Sequence, residues 1–253
     1  MEFTAEQSQR YSRHFMLPEI GPSGQEKLAR ARVFMVGAGG LGSPVGYYLA
    51  AAGVGTLGII DHDVVDLTNL QRQIAHSTPA VGMPKALSAK ATFEKLNPDV
   101  TVNAVNGQLL PESVEDHIRE YDIVVDCSDN FATRFLVNDA CVALRKPLVS
   151  GAVLKFEGQV TTILPGVGHC YRCLFEDVPP EDLLDSLQRA GILGAVAGVV
   201  GTLQAVEVLK YLLGIGELLS GKLLLYDALN ARFRAIHVPR NPSCQACGDL
   251  DAV

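Results

Sequence analysis

Four cysteines in two short motifs have the spacing of metal ligands. Cys170 and Cys173 form one CxxC pair, Cys244 and Cys247 form another, and 70 residues separate the two pairs. Four thiolates in two such turns match a tetrahedral Zn²⁺ site, in which each Zn–S distance is about 2.3 Å. Because sulfur would fill all four positions, the pattern predicts a structural zinc knuckle. Two independent redox-active pairs, or thiols without a ligand, are the alternative interpretations.

A glycine-rich stretch has the spacing of a phosphate-binding loop. Gly37, Gly39 and Gly42 form a GxGxxG motif after a β-branched run, and Asp61 ends the next apolar run, 19 residues beyond Gly42. Glycines allow a tight turn, and the start of the following helix offers unpaired N–H groups to a phosphate. An acidic residue at the end of the next strand can accept a ribose hydroxyl. The pattern predicts a nucleotide site, and the alternative is a turn needed only for helix–sheet packing.

Cations and polar side chains cluster where successive strands are expected to end. They favour phosphate chemistry with Mg²⁺ over hydride transfer, because cations neutralise the charge on moving phosphates and a carboxylate holds the metal. Each of them alone would be interpreted as a surface charge. The candidate residues are Arg13, Thr68, Asn69, Gln71, Arg72, Lys85, Asp129 and Asn130.

Short apolar runs alternate with amphipathic segments over the first 150 residues. This alternation predicts a Rossmann-like α/β fold, with a parallel sheet and helices on both faces. After Gly151 the runs predict antiparallel strands that continue the same sheet, and a long apolar helix from Ile192 to Leu213. The predicted strands are Arg32–Val36, Thr56–Ile60, Val100–Val105, Ile123–Cys127, Leu148–Ser150, Phe156–Leu164, Leu223–Tyr226 and Arg232–Val238, and the other predicted helices are Leu41–Ala52, Lys85–Leu96 and Ala132–Leu144.

The composition excludes several classes of protein. Of 253 residues, 48% are hydrophobic, and 28 acidic residues against 21 basic ones give a net charge of −7. The apolar content excludes a disordered chain, and the acidic balance provides no basic surface for a nucleic acid or an anionic membrane. Gln204, Glu207 and Lys210 interrupt the long apolar helix, which favours a buried core helix over a membrane span. The start, Met1–Arg10, is polar and has no signal-peptide core, so we expect a cytoplasmic protein.

Several of these motifs together resemble one family. The chain contains RYSRH, GAGGLGSP, NLQRQ and DCSDN in that order, together with Asp61, Lys85, the adjacent Thr133 and Arg134, and both CxxC pairs. This arrangement, from Arg10 to Gly248, resembles the ThiF/HesA/MoeB proteins, which are bacterial relatives of ubiquitin-activating enzymes. The resemblance implies adenylation, with ATP and Mg²⁺, of the C-terminal glycine of a small ubiquitin-fold sulfur-carrier protein, with release of pyrophosphate.

The resemblance also implies roles for individual residues. Asn69, Arg72 and Lys85 are expected to bind the phosphates. Asp129 is expected to position Mg²⁺, and Arg13 to assist at the phosphates. The family is usually homodimeric, and an arginine of RYSRH or NLQRQ is expected to reach the partner subunit's site. His14 is interpreted as a packing residue, because a carboxylate is already ionised at pH 7 and needs no base. The implied ATP-binding residues are Gly37, Gly39, Gly40, Gly42, Asp61, Thr68, Asn69, Gln71, Arg72, Lys85, Asp129 and Asn130.

We expect one ThiF-type adenylation domain over residues 1–253, with a nucleotide-binding half (1–150) and a carrier-binding and zinc half (151–253). Ubiquitin-activating relatives carry a cysteine in the loop after the first zinc knuckle. The stretch from Glu176 to Gly191 contains none, and Leu187 stands about where that thiol would be. Leucine cannot act as a nucleophile, so we expect the reaction to stop at an acyl-adenylate and a separate persulfide donor to supply sulfur.

Three other functions are the alternatives to this one. The first is adenylation of a small-molecule or tRNA-linked carboxylate, and the second is a nicotinamide dehydrogenase. The third is a non-catalytic partner subunit, which would be expected to lose Arg72, Lys85 or Asp129, and this chain has all three. Thiamine-type, molybdopterin-type and amino-acid-pathway carriers would present the same Gly-Gly end, so the sequence leaves the carrier's identity open.

Overall fold

A single eight-stranded sheet runs through the computed structural model, which describes residues 2–180 and 190–250. Its strands are β1 (Arg32–Val36), β2 (Thr56–Asp61), β3 (Thr101–Asn106), β4 (Ile123–Asp126), β5 (Leu148–Leu154), β6 (Glu157–Ile163), β7 (Lys222–Asp227) and β8 (Arg232–His237). The helices in the described ranges are α1 (Ala5–Arg10), α2 (Ser12–Phe15), α3 (Gly21–Arg30), α4 (Gly42–Ala51), α5 (Lys85–Leu96), α6 (Val114–Ile118), α7 (Phe131–Ala143), α8 (Tyr171–Leu174) and α9 (Gly194–Leu213).

The strand order is β3-β2-β1-β4-β5-β6-β7-β8. The first five strands in this order, β3, β2, β1, β4 and β5, are parallel. Strands β6, β7 and β8 continue the sheet antiparallel, which confirms the predicted fold class. After β1 the chain adds β2 and β3 on one side of that strand, and then crosses back to place β4 and β5 on its other side. The boundary between β1 and β4 is therefore the switch point at which open α/β sheets bind ligands. Val36 pairs with both Ile60 and Asp126, so the three strand ends lie level there.

Helices cover both faces of the sheet. On one face α4, α5 and α9 bury side chains such as Leu49, Phe93 and Val200, and on the other α6 and α7 bury Ile118 and Val137. By length and composition α9 could span a membrane. It packs instead against α4 and against β4, β5 and β6, as the prediction of a buried core helix requires.

The N-terminal helices were not predicted. Helices α1 and α2 have only six and four residues, too few to show a helical period. Tyr11 accepts a hydrogen bond from Asn97 Nδ2 at 2.8 Å, and Gln25 Nε2 donates to the Ala52 carbonyl at 2.8 Å. Asn97 and Ala52 directly follow the ends of α5 and α4. The N-terminal helices therefore lie at the edge of the sheet where the parallel strands begin.

Strand β5 and two short helices also differ from the prediction. Strand β5 continues beyond the predicted end at Ser150 to Leu154, because its last four residues pair with the start of β6 in a hairpin. Helices α6 and α8, of five and four residues, were also not predicted. Leu187 and most of the predicted crossing loop lie outside the described residues, which resume at position 190.

Candidate functional site

The glycine loop joins β1 to α4 at the switch point of the sheet. Gly37 has a φ of +99°, a conformation that L side chains rarely adopt. A Cβ on Gly42 would lie 2.2 Å from the Gly37 carbonyl oxygen, so the turn requires glycine at both positions. The backbone N–H groups of Gly39 and Gly40 donate to no acceptor among the described residues. The loop therefore offers two free donors of the kind that bind phosphate.

Asp61, the residue predicted to accept a ribose hydroxyl, is held against this loop. One carboxylate oxygen accepts the N–H of Ala38 at 2.8 Å and the other accepts the N–H of Asp63 at 2.9 Å. The pairing of β1 with β2 brings the two segments together. The carboxylate is only half-buried, so its remaining lone pairs can accept the hydroxyls of a ribose.

The segment that follows β2 folds into a short 3₁₀ turn, Leu67–Asn69. Asp66 caps this turn by accepting hydrogen bonds from the N–H and hydroxyl of Thr68, which lower the pKa of Asp66. Asn69 Oδ1 accepts the N–H of Asp66 at 3.3 Å, so the side chains of Thr68 and Asn69 both stabilise the turn itself.

This turn aims Arg72 at the glycine loop. A Cβ on Gly40 would lie 3.5 Å from the Arg72 Cγ, and the guanidinium donates to the Thr68 carbonyl at 3.3 Å. Gln71 points elsewhere: a Cβ on Gly194 would lie 2.2 Å from the Gln71 carbonyl oxygen and 3.0 Å from its Oε1. Arg72 is thus beside the predicted phosphate site, whereas Gln71 packs on the start of α9.

Lys85 opens α5 and is buried beside the same edge of the sheet. Its ammonium lies 2.7 Å from Asp63 Oδ2, and this contact lowers the pKa of Asp63. The Lys85 N–H also donates to the Asp63 carbonyl at 2.9 Å. Since the N–H of Asp63 binds Asp61, Asp63 connects the predicted ribose-binding carboxylate to the predicted phosphate-binding lysine.

Asp129 and Asn130 follow β4 on the other side of the switch point. Both are exposed, and Asn130 caps α7 by accepting the N–H of Thr133 at 2.9 Å. Buried Asp126 supports their loop by accepting the hydroxyl of Ser128 at 2.6 Å. The Asp129 carboxylate accepts no hydrogen bond from the described residues, so it fits a hard cation such as Mg²⁺.

Arg13, like Gln71, is a predicted site residue that the described structure does not bring to the glycine loop. It lies on α2, next to Tyr11, whose ring packs against Gly53 after the end of α4. Its own guanidinium is exposed and lies 3.7 Å from the Met16 sulfur. The ten residues of α4 span about 15 Å from the glycine loop to that end. Within one chain, Arg13 is therefore at the opposite edge of the sheet from Arg72 and Lys85.

The four CxxC cysteines converge into one cluster. The sulfur–sulfur distances are 3.9 Å for Cys170–Cys173, 3.6 Å for Cys170–Cys244 and 3.5 Å for Cys173–Cys247. A tetrahedron with Zn–S bonds of about 2.3 Å has sulfur–sulfur edges of about 3.8 Å. Burial raises the pKa of Cys247 to about 11, so an ion that stabilises thiolates fits this donor set.

Helix α7 supports this cluster from the side of the nucleotide half. Asn138 Oδ1 accepts the N–H of Tyr171 at 2.7 Å, and Asp139 binds the Arg172 guanidinium through both oxygens at 2.7 Å. The same helix begins at the Asp129–Asn130 loop. The remaining cysteines, Cys127 and Cys141, are buried, and burial raises the pKa of both thiols, as expected of core residues.

Two residues in contact with the site were not predicted. Asp63 stands two positions after Asp61, a spacing that keeps both side chains on one side of an extended chain and could have signalled it. His76 lies with Nε2 2.9 Å from the Ala38 carbonyl oxygen of the glycine loop. A histidine without ligand spacing gives no such signal in the sequence.

The ThiF family model matches residues 11–246 of this chain. A sulfur carrier protein adenylyltransferase from Thermus thermophilus is 52% identical and covers 98% of this chain and 94% of that protein. The SAMP-activating enzyme E1 of Haloferax volcanii is 48% identical, and the match covers 98% of this chain and 92% of that protein. The adenylyltransferase and sulfurtransferase MOCS3 of Sus scrofa is 50% identical over 96% of this chain, which spans about half, 54%, of that protein's length.

Solved structures show the same architecture. The crystal structure of E. coli MccB with ATP has a TM-score of 0.83 and 28% sequence identity, over 94% of this chain and 74% of that one. MccB in complex with N-formylated MccA has a TM-score of 0.85 and 26% sequence identity, over 96% of this chain and 76% of that one. The predicted fold class and the predicted family resemblance both agree with these matches.

Proposed function

This chain belongs to the ThiF family and is an adenylyltransferase, and from that premise we propose that it adenylates the C-terminal glycine of a small ubiquitin-fold sulfur carrier ending in Gly-Gly. The observation that carries the proposal is the glycine loop with two free N–H donors, flanked by Asp61 and Arg72. Two relatives of nearly the same length have names that describe this class of reaction.

Different residues around the glycine loop bind different parts of ATP. Asp61 accepts the ribose hydroxyls, while the N–H groups of Gly39 and Gly40 donate to phosphate oxygens. Arg72 and Lys85 supply the positive charge that two approaching anions require. Lys85 is already buried and oriented by Asp63, so little side-chain freedom is lost when a phosphate arrives.

Asp129 is proposed to hold Mg²⁺, which when bound neutralises charge on the polyphosphate. The free carboxylate at the end of β4 supports this role. Asn130 then contributes chiefly by starting α7 and fixing the loop, because its oxygen is used as the helix cap.

The chemical step needs no general base. The carrier's carboxylate, ionised at pH 7, attacks the α-phosphorus of ATP; a new P–O bond forms and the bond to pyrophosphate breaks. The residues of the site screen the repulsion between the two anions and align them. His14 is not needed, and its Nδ1 lies 2.8 Å from Gln25 Oε1 at the opposite edge of the sheet, in keeping with a packing role.

Arg13 is proposed to act across a homodimer. It lies too far from the glycine loop to serve its own site, and its exposed position on α2 leaves it free to enter the site of a second copy. In a two-fold dimer each subunit would give its Arg13 to the other, so both sites would be complete.

The carrier is proposed to dock on the exposed face of β7 and β8. Leu229 and Phe233 are 71% and 55% exposed, and Phe233 stacks on Tyr226 with ring centroids 4.6 Å apart. Arg232 and Arg234 are also exposed on β8, but they alternate with Phe233 along the strand and so point to the other face of the sheet. The exposed apolar residues beside Phe233 suit a small protein with an apolar patch.

The zinc site is proposed to be structural, and the reaction to stop at the carrier acyl-adenylate. Four sulfurs leave no open position on the ion, and Cys127 and Cys141 are buried. No thiol is then available for a covalent link to the carrier. Sulfur would come from a separate persulfide donor.

The decisive experiment is ATP–pyrophosphate exchange with purified carriers that end in Gly-Gly. We expect exchange that requires both Mg²⁺ and the carrier, and that disappears when the last glycine of the carrier is removed. Exchange with a small-molecule or tRNA-linked carboxylate alone would replace this function with the alternative one. Absence of exchange with every carboxylate would favour a non-catalytic subunit.

A further inference from the structure

A buried histidine touches the glycine loop from behind. His76 is 7% exposed, with Nε2 2.9 Å from the Ala38 carbonyl oxygen and Nδ1 2.9 Å from the Ser88 hydroxyl on α5. A carbonyl can only accept, so Nε2 carries the proton and Nδ1 accepts from the serine. Burial lowers the pKa of His76, which keeps the ring neutral at pH 7.

The next peptide of the loop is held in the same direction. The Gly39 carbonyl accepts a hydrogen bond from the Ser43 hydroxyl at 2.7 Å. The Ser43 hydroxyl oxygen in turn accepts the N–H of Ala75 at 3.1 Å. Both carbonyls, of Ala38 and of Gly39, thus point toward the segment Ala75–His76. This segment directly follows NLQRQ, the motif that carries Arg72.

The direction of these carbonyls fixes the direction of the free donors. In a trans peptide the C=O and the following N–H point to opposite sides. No peptide bond of the described residues is cis, so the N–H groups of Gly39 and Gly40 point away from Ala75–His76. Arg72 lies beside the same part of the loop, where a Cβ on Gly40 would be 3.5 Å from its Cγ.

We propose that His76 is a positioning residue of the nucleotide site, which through its hydrogen bond to Ala38 turns the Gly39 N–H toward the phosphates of ATP. Asp61 holds the N–H of Ala38 while His76 holds its carbonyl, so the residue is fixed from both sides. The inference rests on the proposed ATP site and adds to it a residue that touches no substrate.

The test compares three variants of the full-length protein by calorimetric titration with ATP, with Mg²⁺ present, and with adenosine. His76→Leu removes the donor, His76→Gln keeps one, and His117→Leu alters a half-buried histidine that stacks on Phe34 away from the loop. We expect His76→Leu to weaken ATP binding about tenfold or more, the effect of one lost hydrogen bond to an anion. Adenosine binding should change less than about threefold, and the other two variants should bind ATP like the wild type.

The outcomes separate this inference from the function on which it rests. Equal loss of ATP and adenosine affinity in His76→Leu would make His76 merely structural, and unchanged ATP affinity would overturn its role outright. Wild-type protein that binds no ATP would overturn the proposed function, and the inference with it. If His76→Leu fails to fold, the ¹⁵N spectrum of wild-type histidines decides instead. A ring protonated at Nε2 supports the proposal, and one protonated at Nδ1 contradicts it.

Discussion

Asp61 and Asp129 stand at corresponding strand ends but are used differently. Asp61 accepts two backbone N–H groups and so helps to build the loop. Asp129 accepts no hydrogen bond from any described residue, which leaves both of its oxygens for a metal ion. The contrast makes Asp129 the residue whose removal should affect chemistry without affecting the fold.

We expect Asp129→Ala to lower pyrophosphate exchange about a hundredfold or more, because a group that positions charge neutralisation is lost. The melting temperature should stay at the wild-type value. Glu112→Ala, at another exposed acidic position, is the control and should exchange normally. A well-folded Asp129→Ala protein with near-normal exchange would refute the assignment.

The neutral state of His76 predicts how stability depends on pH. Its pKa in the folded chain lies below the unfolded value of about 6.5, so the unfolded chain binds a proton first as pH falls. Its contribution to stability is present above about pH 6.5 and is lost below it. Urea unfolding from pH 7.5 to 5 should show a steeper loss of free energy of unfolding for the wild type than for His76→Gln. Parallel curves would contradict this.

Four cysteines are proposed to bind zinc and the other two are buried, so we predict that no covalent adduct forms between the enzyme and the carrier. Enzyme, ATP, Mg²⁺ and cognate carrier should yield carrier adenylate, with no thiol-labile link between enzyme and carrier. Intact mass measured under non-reducing conditions tests this directly. An adduct would show that a thiol is accessible, and its location at Cys127 would mean that this residue leaves the core during turnover.

At the scale of elements, the four-cysteine cluster, which is proposed to hold zinc, joins the segment after β6 to the tail after β8. Cys244→Ser should remove most of the zinc and lower the melting temperature, because the tail then loses its link to the segment after β6. The hydrogen bond that Arg240 donates to the Gly248 carbonyl at 2.9 Å lies within the tail and does not replace that link. Elemental analysis and thermal denaturation measure the two effects. Cys141→Ser, at a buried cysteine outside the cluster, should keep the full zinc content. Zinc-free wild-type protein that is stable and active would end this assignment.

The elements that could be predicted are those whose signal is local. Strands β1, β2 and β4 are buried apolar runs, β3 shows the alternation of a half-buried strand, and the glycine loop between β1 and α4 follows from its own spacing. Helix α5 begins and ends where predicted, at Lys85 and Leu96. Helices α1 and α2 are short, and Tyr11 between them contacts Asn97, far along the chain.

The candidate site was predicted to the same extent. Sequence spacing indicated Asp61, Arg72 and Lys85, because each lies near the end of a recognisable element. It did not indicate the contacts between them: Asp63 with Lys85, or His76 with Ala38. These join segments that meet only when the sheet forms, and no local pattern describes them.

At the scale of the whole molecule, the proposed exchange of Arg13 between subunits predicts complementation. Arg13→Ala and Asp129→Ala should each be inactive alone. Unfolded together and refolded as an equal mixture, they should recover about a quarter of wild-type activity, because half of the dimers are mixed and each of these has one intact site. Mixing folded dimers without exchange is the control. A mixture that stays inactive would mean that Arg13 acts within its own chain or not at all.

Under the proposed exchange of Arg13, no single copy holds every cation that the polyphosphate needs, because Arg13 lies at the edge of the sheet opposite the glycine loop of its own chain. Specific activity should therefore fall on dilution, at the protein concentration where subunits separate. Linkage makes the effect reciprocal: ATP, held by groups from both copies, should tighten their association by the factor by which association tightens ATP binding. The nucleotide would then be an assembly factor as well as a substrate.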